Sequence, residues 1–211
     1  MGDNMVKPLS DKGLDKIFNY LTRQTEENVR VYKQRSSPYV DLTYMHLLCA
    51  ANAVKNVVEI GTFRGLSACF MALGVSGSVH TINRNAAEIT SAKKLAEDLE
   101  IENIVFYEGD SLEVLPSLVT RLDGDFQLGY IDGWHSYEYA MSEYQLLDKS
   151  IDKACGLIAF DDAAKVHPDG KDDGGVPRVL EQLSITPSPI VRKRIAFKTY
   201  GDFRTLETPA R

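Results

Sequence analysis

Two short apolar runs in this chain end abruptly in acid: Tyr130-Ile131 gives way to Asp132-Gly133-Trp134-His135, and Leu157 to Phe160 gives way to Asp161-Asp162. An apolar run of that length, bounded by turn residues, reads as a strand buried in a parallel sheet. Its last residue then stands at the carboxyl edge, where open α/β sheets bind ligands. Asp132, Asp161 and Asp162 are therefore expected to converge. Neighbouring carboxylates repel one another unless a cation joins them, and oxygen-only donors suit Mg²⁺ or Ca²⁺. Mg²⁺ is the favoured ion, because it takes few protein ligands and keeps positions open for substrate oxygens. His135, three residues beyond Asp132, carries an imidazole suited to take a hydroxyl proton near neutral pH. Trp134, Tyr137 and Tyr139 are candidate pocket walls. His167, in a polar loop, is either a second base or a solvated residue of a lid.

A second segment with chemical potential is Glu59-Ile60-Gly61-Thr62-Phe63-Arg64-Gly65. Glycines in a strand-to-helix turn let the backbone approach a ligand from a helix N-terminus. The dinucleotide fingerprint G-x-G-x-x-G is absent, since Phe occupies position 63. Glu59 also argues against a polyanion and suits a cationic ligand or a network of loop amides.

The elements that must position these residues alternate. Residues 11 to 34 read as an amphipathic helix, broken at Ser36-Ser37-Pro38, and a second helix is expected from Asp41, as N-cap, to Lys55, with His46 at the edge of the core. The period then switches between two and 3.6. Strands are expected at 57–60, 79–82, 104–107, 126–131 and 157–160, with helices at 66–73, 86–99, 111–119 and 136–147 between them. A polar loop, 163–175, with Gly170, Gly174 and Gly175 as hinges, leads to a helix at 176–183. Strands at 190–191 and 195–200 close the chain, too near each other for a crossover helix, so they are expected to pair antiparallel. Strict alternation predicts right-handed βαβ units in one α/β domain. The two leading helices form a cap or an oligomer surface.

A net charge of −6 over 211 residues argues against a nucleic-acid partner. The basic cluster Arg192-Lys193-Arg194 reads as a solvated strand end. Cys49, Cys69 and Cys155 have no metal-like spacing and read as buried free thiols in a reducing compartment. With no apolar run of ~18 residues and a polar first segment, the expectation is a soluble cytoplasmic protein.

Four of these segments together resemble a known family. The strand, Glu-Ile-Gly-Thr-x-x-Gly and Ser67 resemble motif I of the class I S-adenosylmethionine-dependent methyltransferases. Gly109-Asp110-Ser111, Asp132-Gly133-Trp134-His135 and Asp161-Asp162 resemble the metal-dependent small-molecule O-methyltransferases, a group that spans catechol, caffeoyl-CoA, macrolide and sugar enzymes, some in antibiotic pathways. The likeness runs from about residue 55 to 200. It implies a single domain: a helical cap (1–54) on a Rossmann-like core (55–211), with a seven-stranded, mostly parallel sheet, an antiparallel last strand and helices on both faces. It implies that Glu59 and the loop Gly61, Thr62 to Gly65 hold the methionine end of S-adenosylmethionine, with Ser67 near its carboxylate. Asn83 stands where the family has an acid for the ribose hydroxyls. Asp110 and Ser111 match the position facing adenine, and Asp132 also borders the cofactor. Asp132, Asp161 and Asp162 match the metal ligands, and His135 the base. The implied reaction is methyl transfer to a hydroxyl of a small molecule. From the charge and hydropathy no nucleic-acid or membrane partner is expected, and the amphipathic first helix is a candidate surface for a homodimer, the oligomeric state being open. Alternatives on the same fold are a cyclase or lyase that consumes the cofactor without methylating, a metal-free methyltransferase, and a non-catalytic association domain.

Overall fold

A computed structural model describes residues 11–23, 38–164, 174–189 and 194–205. Within them, helix α1 (Asp11–Thr22) and helix α2 (Tyr39–Ala51) precede an alternating core: β1 (Val57–Ile60), α3 (Leu66–Ala72), β2 (Val79–Asn83), α4 (Ala86–Asp98), β3 (Ile104–Glu108), α5 (Ser111–Leu122), β4 (Leu128–Ile131), α6 (Tyr137–Ser150), β5 (Leu157–Phe160), α7 (Gly175–Gln182) and β6 (Ala196–Thr199). The strands form one sheet in the order β3-β2-β1-β4-β5-β6. The first five run parallel and β6 lies antiparallel to β5, Phe160 opposite Ala196.

Why these runs become strands follows from their burial. Every residue of β1, β4 and β5 is buried, and alternate residues serve opposite faces. Val58, Ile60, Ile131, Ile158 and Phe160 pack with residues of α5, α6 and α7. Val57, Leu128, Tyr130, Leu157 and Ala159 pack with α2 and α3. A third cluster joins α1, α2, α3 and α4 through Ile17, Leu42, Phe70 and Leu95. Helices thus cover both faces, and α1 and α2 are part of the packed core.

Several expectations are corrected. The sheet has six strands among the described residues, not seven; the segment 190–191 lies outside them, and the antiparallel partner of the last strand is β5. Among the described residues an isolated bridge, Pro187 to Ala196, is what adjoins β6 on its other side. The first helix ends at Thr22, with 24–37 outside the described residues. The second begins after Pro38, and Asp41 is no N-cap: it is buried in the first turn, where Arg194 Nε donates to its Oδ2 at 2.9 Å. His46 is buried, with Nδ1 3.0 Å from the Phe70 carbonyl. Cys49 and Cys69 are buried free thiols, but Cys155 is half-buried and its thiol donates to Asp152. Among the described residues no helix is long and apolar enough to cross a membrane.

Candidate active site

The strand order turns back between β1 and β4, which creates a crevice at their carboxyl ends. The turn after β1 forms one wall. Gly61 adopts φ +104°, and a Cβ built there would lie 1.9 Å from the Asp132 carbonyl oxygen. The residue must be glycine because the turn is pressed directly onto the end of β4. Gly65 caps α3 with φ +83°, and a Cβ there would lie 2.8 Å from Ala92 Cβ. Its role includes the packing of α4. The Gly61 and Thr62 amides both donate to the Ile82 carbonyl, so these two N–H groups stitch the turn to β2.

Beneath the turn is a buried hydroxyl–carboxyl chain. Thr81 Oγ1 donates to Glu59 Oε2 at 2.5 Å, and Thr62 Oγ1 lies 2.6 Å from Thr81 Oγ1. Glu59 is fully buried and its Oε1 makes no hydrogen bond. Burial pushes its carboxyl up to about 7, with the Ser67 and Thr81 hydroxyls working in the other direction.

A cavity of about 370 Å³ opens in the crevice. Of the residues expected at the site, Gly61, Asn83, Ser111, Asp132 and His135 line it, as do Trp134 and Tyr139. Glu59, Thr62, Gly65, Ser67, Asp110, Asp161 and Asp162 stand around it without lining it. Asp110 is the N-cap of α5, with Oδ1 accepting from the Leu112 amide at 2.9 Å, and its Oδ2 is engaged by Arg84 and by the Tyr139 hydroxyl. Tyr137 turns instead to α7, where its hydroxyl donates to Gln182 and Arg178 lies over its ring. Trp134 is 65% exposed, which removes it from the core and leaves it at the cavity mouth. His167 lies outside the described residues.

The acid cluster follows from register. Ile131 pairs with Phe160, so the next residues, Asp132 and Asp161, emerge side by side, and their backbones continue the ladder (Asp132 N to Ile60 O, 2.8 Å; Asp161 N to Ile131 O, 2.9 Å). Asp162 then leaves the strand with φ +51°, a left-handed conformation that Asp tolerates better than most residues. Burial foremost, then the neighbouring carboxylates, hold Asp132 well above the usual range; Asp161 is raised by burial and then by Asp162, with Asp132 and Arg194 working in the other direction. The two carboxyls lie close enough to titrate as a pair. His135 stands in the loop before α6, whose N-cap is Ser136. Its Nε2 is 3.7 Å from Asp162 Oδ2 and 4.0 Å from Asp132 Oδ1.

Among the described residues no group of three His, Cys, Asp or Glu side chains is set to hold a metal ion. His135 bridges the cluster, facing both Asp162 and Asp132. The donor chemistry still fits a hard divalent cation. Clustered buried carboxyls are groups whose mutual repulsion such an ion relieves.

Three residues at the site were not foreseen. Arg84 follows β2 and lies over the Tyr139 ring. Glu88, in the first turn of α4, lines the cavity beside Asn83. Glu143 is fully buried on α6, accepts from the Ser111 hydroxyl at 2.5 Å, and keeps Oε2 without a partner; burial pushes it up to about 7. Its signal was present in the sequence. Ala140, Glu143 and Leu147 share one helical face, so an acid there had to be buried.

A family model described as O-methyltransferase matches residues 9–181. No curated protein sequence matches the chain. Among solved structures, an O-methyltransferase from Bacillus cereus in complex with SAH superposes with a TM-score of 0.67 at 18% identity, over 89% of each chain. The O-methyltransferase TomG from Streptomyces achromogenes, involved in tomaymycin synthesis and solved with SAM, gives 0.65 at 19% identity, over 89% of this chain and 96% of that one. A putative caffeoyl-CoA O-methyltransferase from Staphylococcus aureus gives 0.64 at 18% identity, over 90% and 99%. At these identities the likeness shows a shared fold.

Proposed function

The chain belongs to the O-methyltransferase family, and on that premise we propose that it transfers a methyl group from S-adenosylmethionine to a hydroxyl of a small molecule. One observation carries the reading: a single cavity runs from the end of β2 at Asn83, past the Gly61 turn, to Asp132 and His135. That is room for a nucleoside at one end and proton chemistry at the other. When bound, the cofactor supplies an electrophilic methyl on sulfur. The fully buried Glu59 behind the turn suits that positive charge, which favours its ionised form.

The residues of this chain do the rest. His135 Nε2 takes the proton of the acceptor hydroxyl, and the Asp162 carboxylate nearby stabilises the imidazolium that forms. The crevice holds acceptor oxygen and methyl in line, the step from which most of the acceleration is expected. Asp132, Asp161 and Asp162 would hold a divalent cation, which when bound lowers the pKa of a hydroxyl beside it. Trp134 and Tyr139 border the acceptor. Incubation with S-adenosylmethionine, Mg²⁺ and a panel of diols and phenols, read by mass spectrometry, tests this reading. S-adenosylhomocysteine with a methylated acceptor is the expected product, whereas methylthioadenosine would point to a non-methylating lyase.

A further inference from the structure

We propose that Glu88 is the carboxylate that holds the ribose hydroxyls of the cofactor; the inference rests on the reading of the cavity as an S-adenosylmethionine site. The end of β2 offers Asn83, an amide with a single oxygen to accept hydrogen bonds. Two vicinal hydroxyls need two acceptors side by side. The structure supplies the second one from α4. Asn83 Nδ2 donates to Glu88 Oε2 at 2.8 Å, and both residues line the cavity. That bond commits the amide nitrogen to Glu88 and leaves the Asn83 oxygen as the acceptor it can offer.

The placement is built, not incidental. Asn85 caps α4 by accepting from the Ala87 and Glu88 amides at 3.0 and 3.3 Å, which fixes the first turn of the helix against the end of β2. The helix N-terminus there favours a carboxylate. The nearest cation in sequence, Arg84, is directed to Asp110 and Tyr139. Among the described residues the one side-chain hydrogen bond of Glu88 is to Asn83, so a carboxylate that lines the cavity keeps most of its acceptor capacity. An acid at position 88 beside an amide at 83 thus brings to the end of β2 the charge and the paired acceptors that an acid at the strand end would bring.

Calorimetry with S-adenosylhomocysteine and its 2′-deoxy analogue decides the matter. Glu88→Gln is expected to weaken S-adenosylhomocysteine about 10- to 100-fold, the usual value of a hydrogen bond to a charged group, and to weaken the deoxy analogue much less. Exchanging the two groups, in an Asn83→Asp and Glu88→Gln double variant, is expected to restore most of the affinity. Equal affinity of wild type and Glu88→Gln, or an equal loss for both ligands, would overturn the assignment alone. Absence of binding by the wild type would overturn the cofactor reading and the assignment with it.

Discussion

His135 concentrates the proposed chemistry on one proton. It lines the cavity, stands outside any helix, and has two carboxylates within 4.0 Å of Nε2. We expect His135→Ala to lower kcat by ~10²–10⁴, the usual contribution of a positioned base, while S-adenosylhomocysteine binding measured by calorimetry stays within a few-fold. Unchanged turnover at neutral pH would remove it from the mechanism. Asp161 makes a different prediction, because it does not line the cavity but emerges beside Asp132 at the end of the neighbouring strand. Asp161→Ala should abolish the calorimetric response to Mg²⁺ and the activity, and leave cofactor binding nearly intact. Parallel loss of both would mean that Asp161 supports the fold of the β5 end rather than an ion.

At the scale of elements, the turn after β1 is the most constrained part of the site. Gly61→Ala would place a methyl 1.9 Å from the backbone oxygen of Asp132, the residue just past β4, at a φ that L-residues avoid. Neither side can yield without breaking the ladder that joins Asp132 N to Ile60 O. We expect a loss of about 2–4 kcal/mol in urea unfolding, together with loss of cofactor affinity; a variant of wild-type stability would show that the turn is not held against β4. The same element shows what sequence makes legible. β1, β4 and β5 were readable because burial on both faces demands unbroken apolar runs, and Asp132 and Asp161 because acid interrupts those runs. The Gly61 turn was readable from its glycines, although the Gly65 contact with Ala92 is tertiary and leaves no local trace. Asp41 was misread for the same reason: in sequence it looks like a cap, and only Arg194, 153 residues away, explains its burial. Glu88 was silent because an acid in a first turn is ordinary; its meaning comes from the amide across from it.

At the scale of the whole molecule, the two faces of the sheet each bury one glutamate. Glu59 lies behind β1 on the side of α3 and Glu143 on α6. Both carboxyls move from an ordinary 4.5 up to about 7 through burial. The folded chain therefore binds more protons than the unfolded chain between those values, and stability contributed by the two groups is present below about pH 4.5 and lost as pH rises through about 7. His46 and His80 slope the other way, because burial lowers both and the unfolded chain takes up their protons first. The difference between wild type and a Glu59→Gln, Glu143→Gln double variant isolates the acids. Gln adds an amide that must find partners, a cost independent of pH. Relative to wild type the double variant should therefore gain stability steadily from pH 5 to 8, by up to about 3 kcal/mol for each site, in chemical-denaturation midpoints measured across that range. A difference that stays flat would mean that both carboxylates remain ionised inside the fold, and that Ser67, Thr81 and Ser111 satisfy them better than their burial implies.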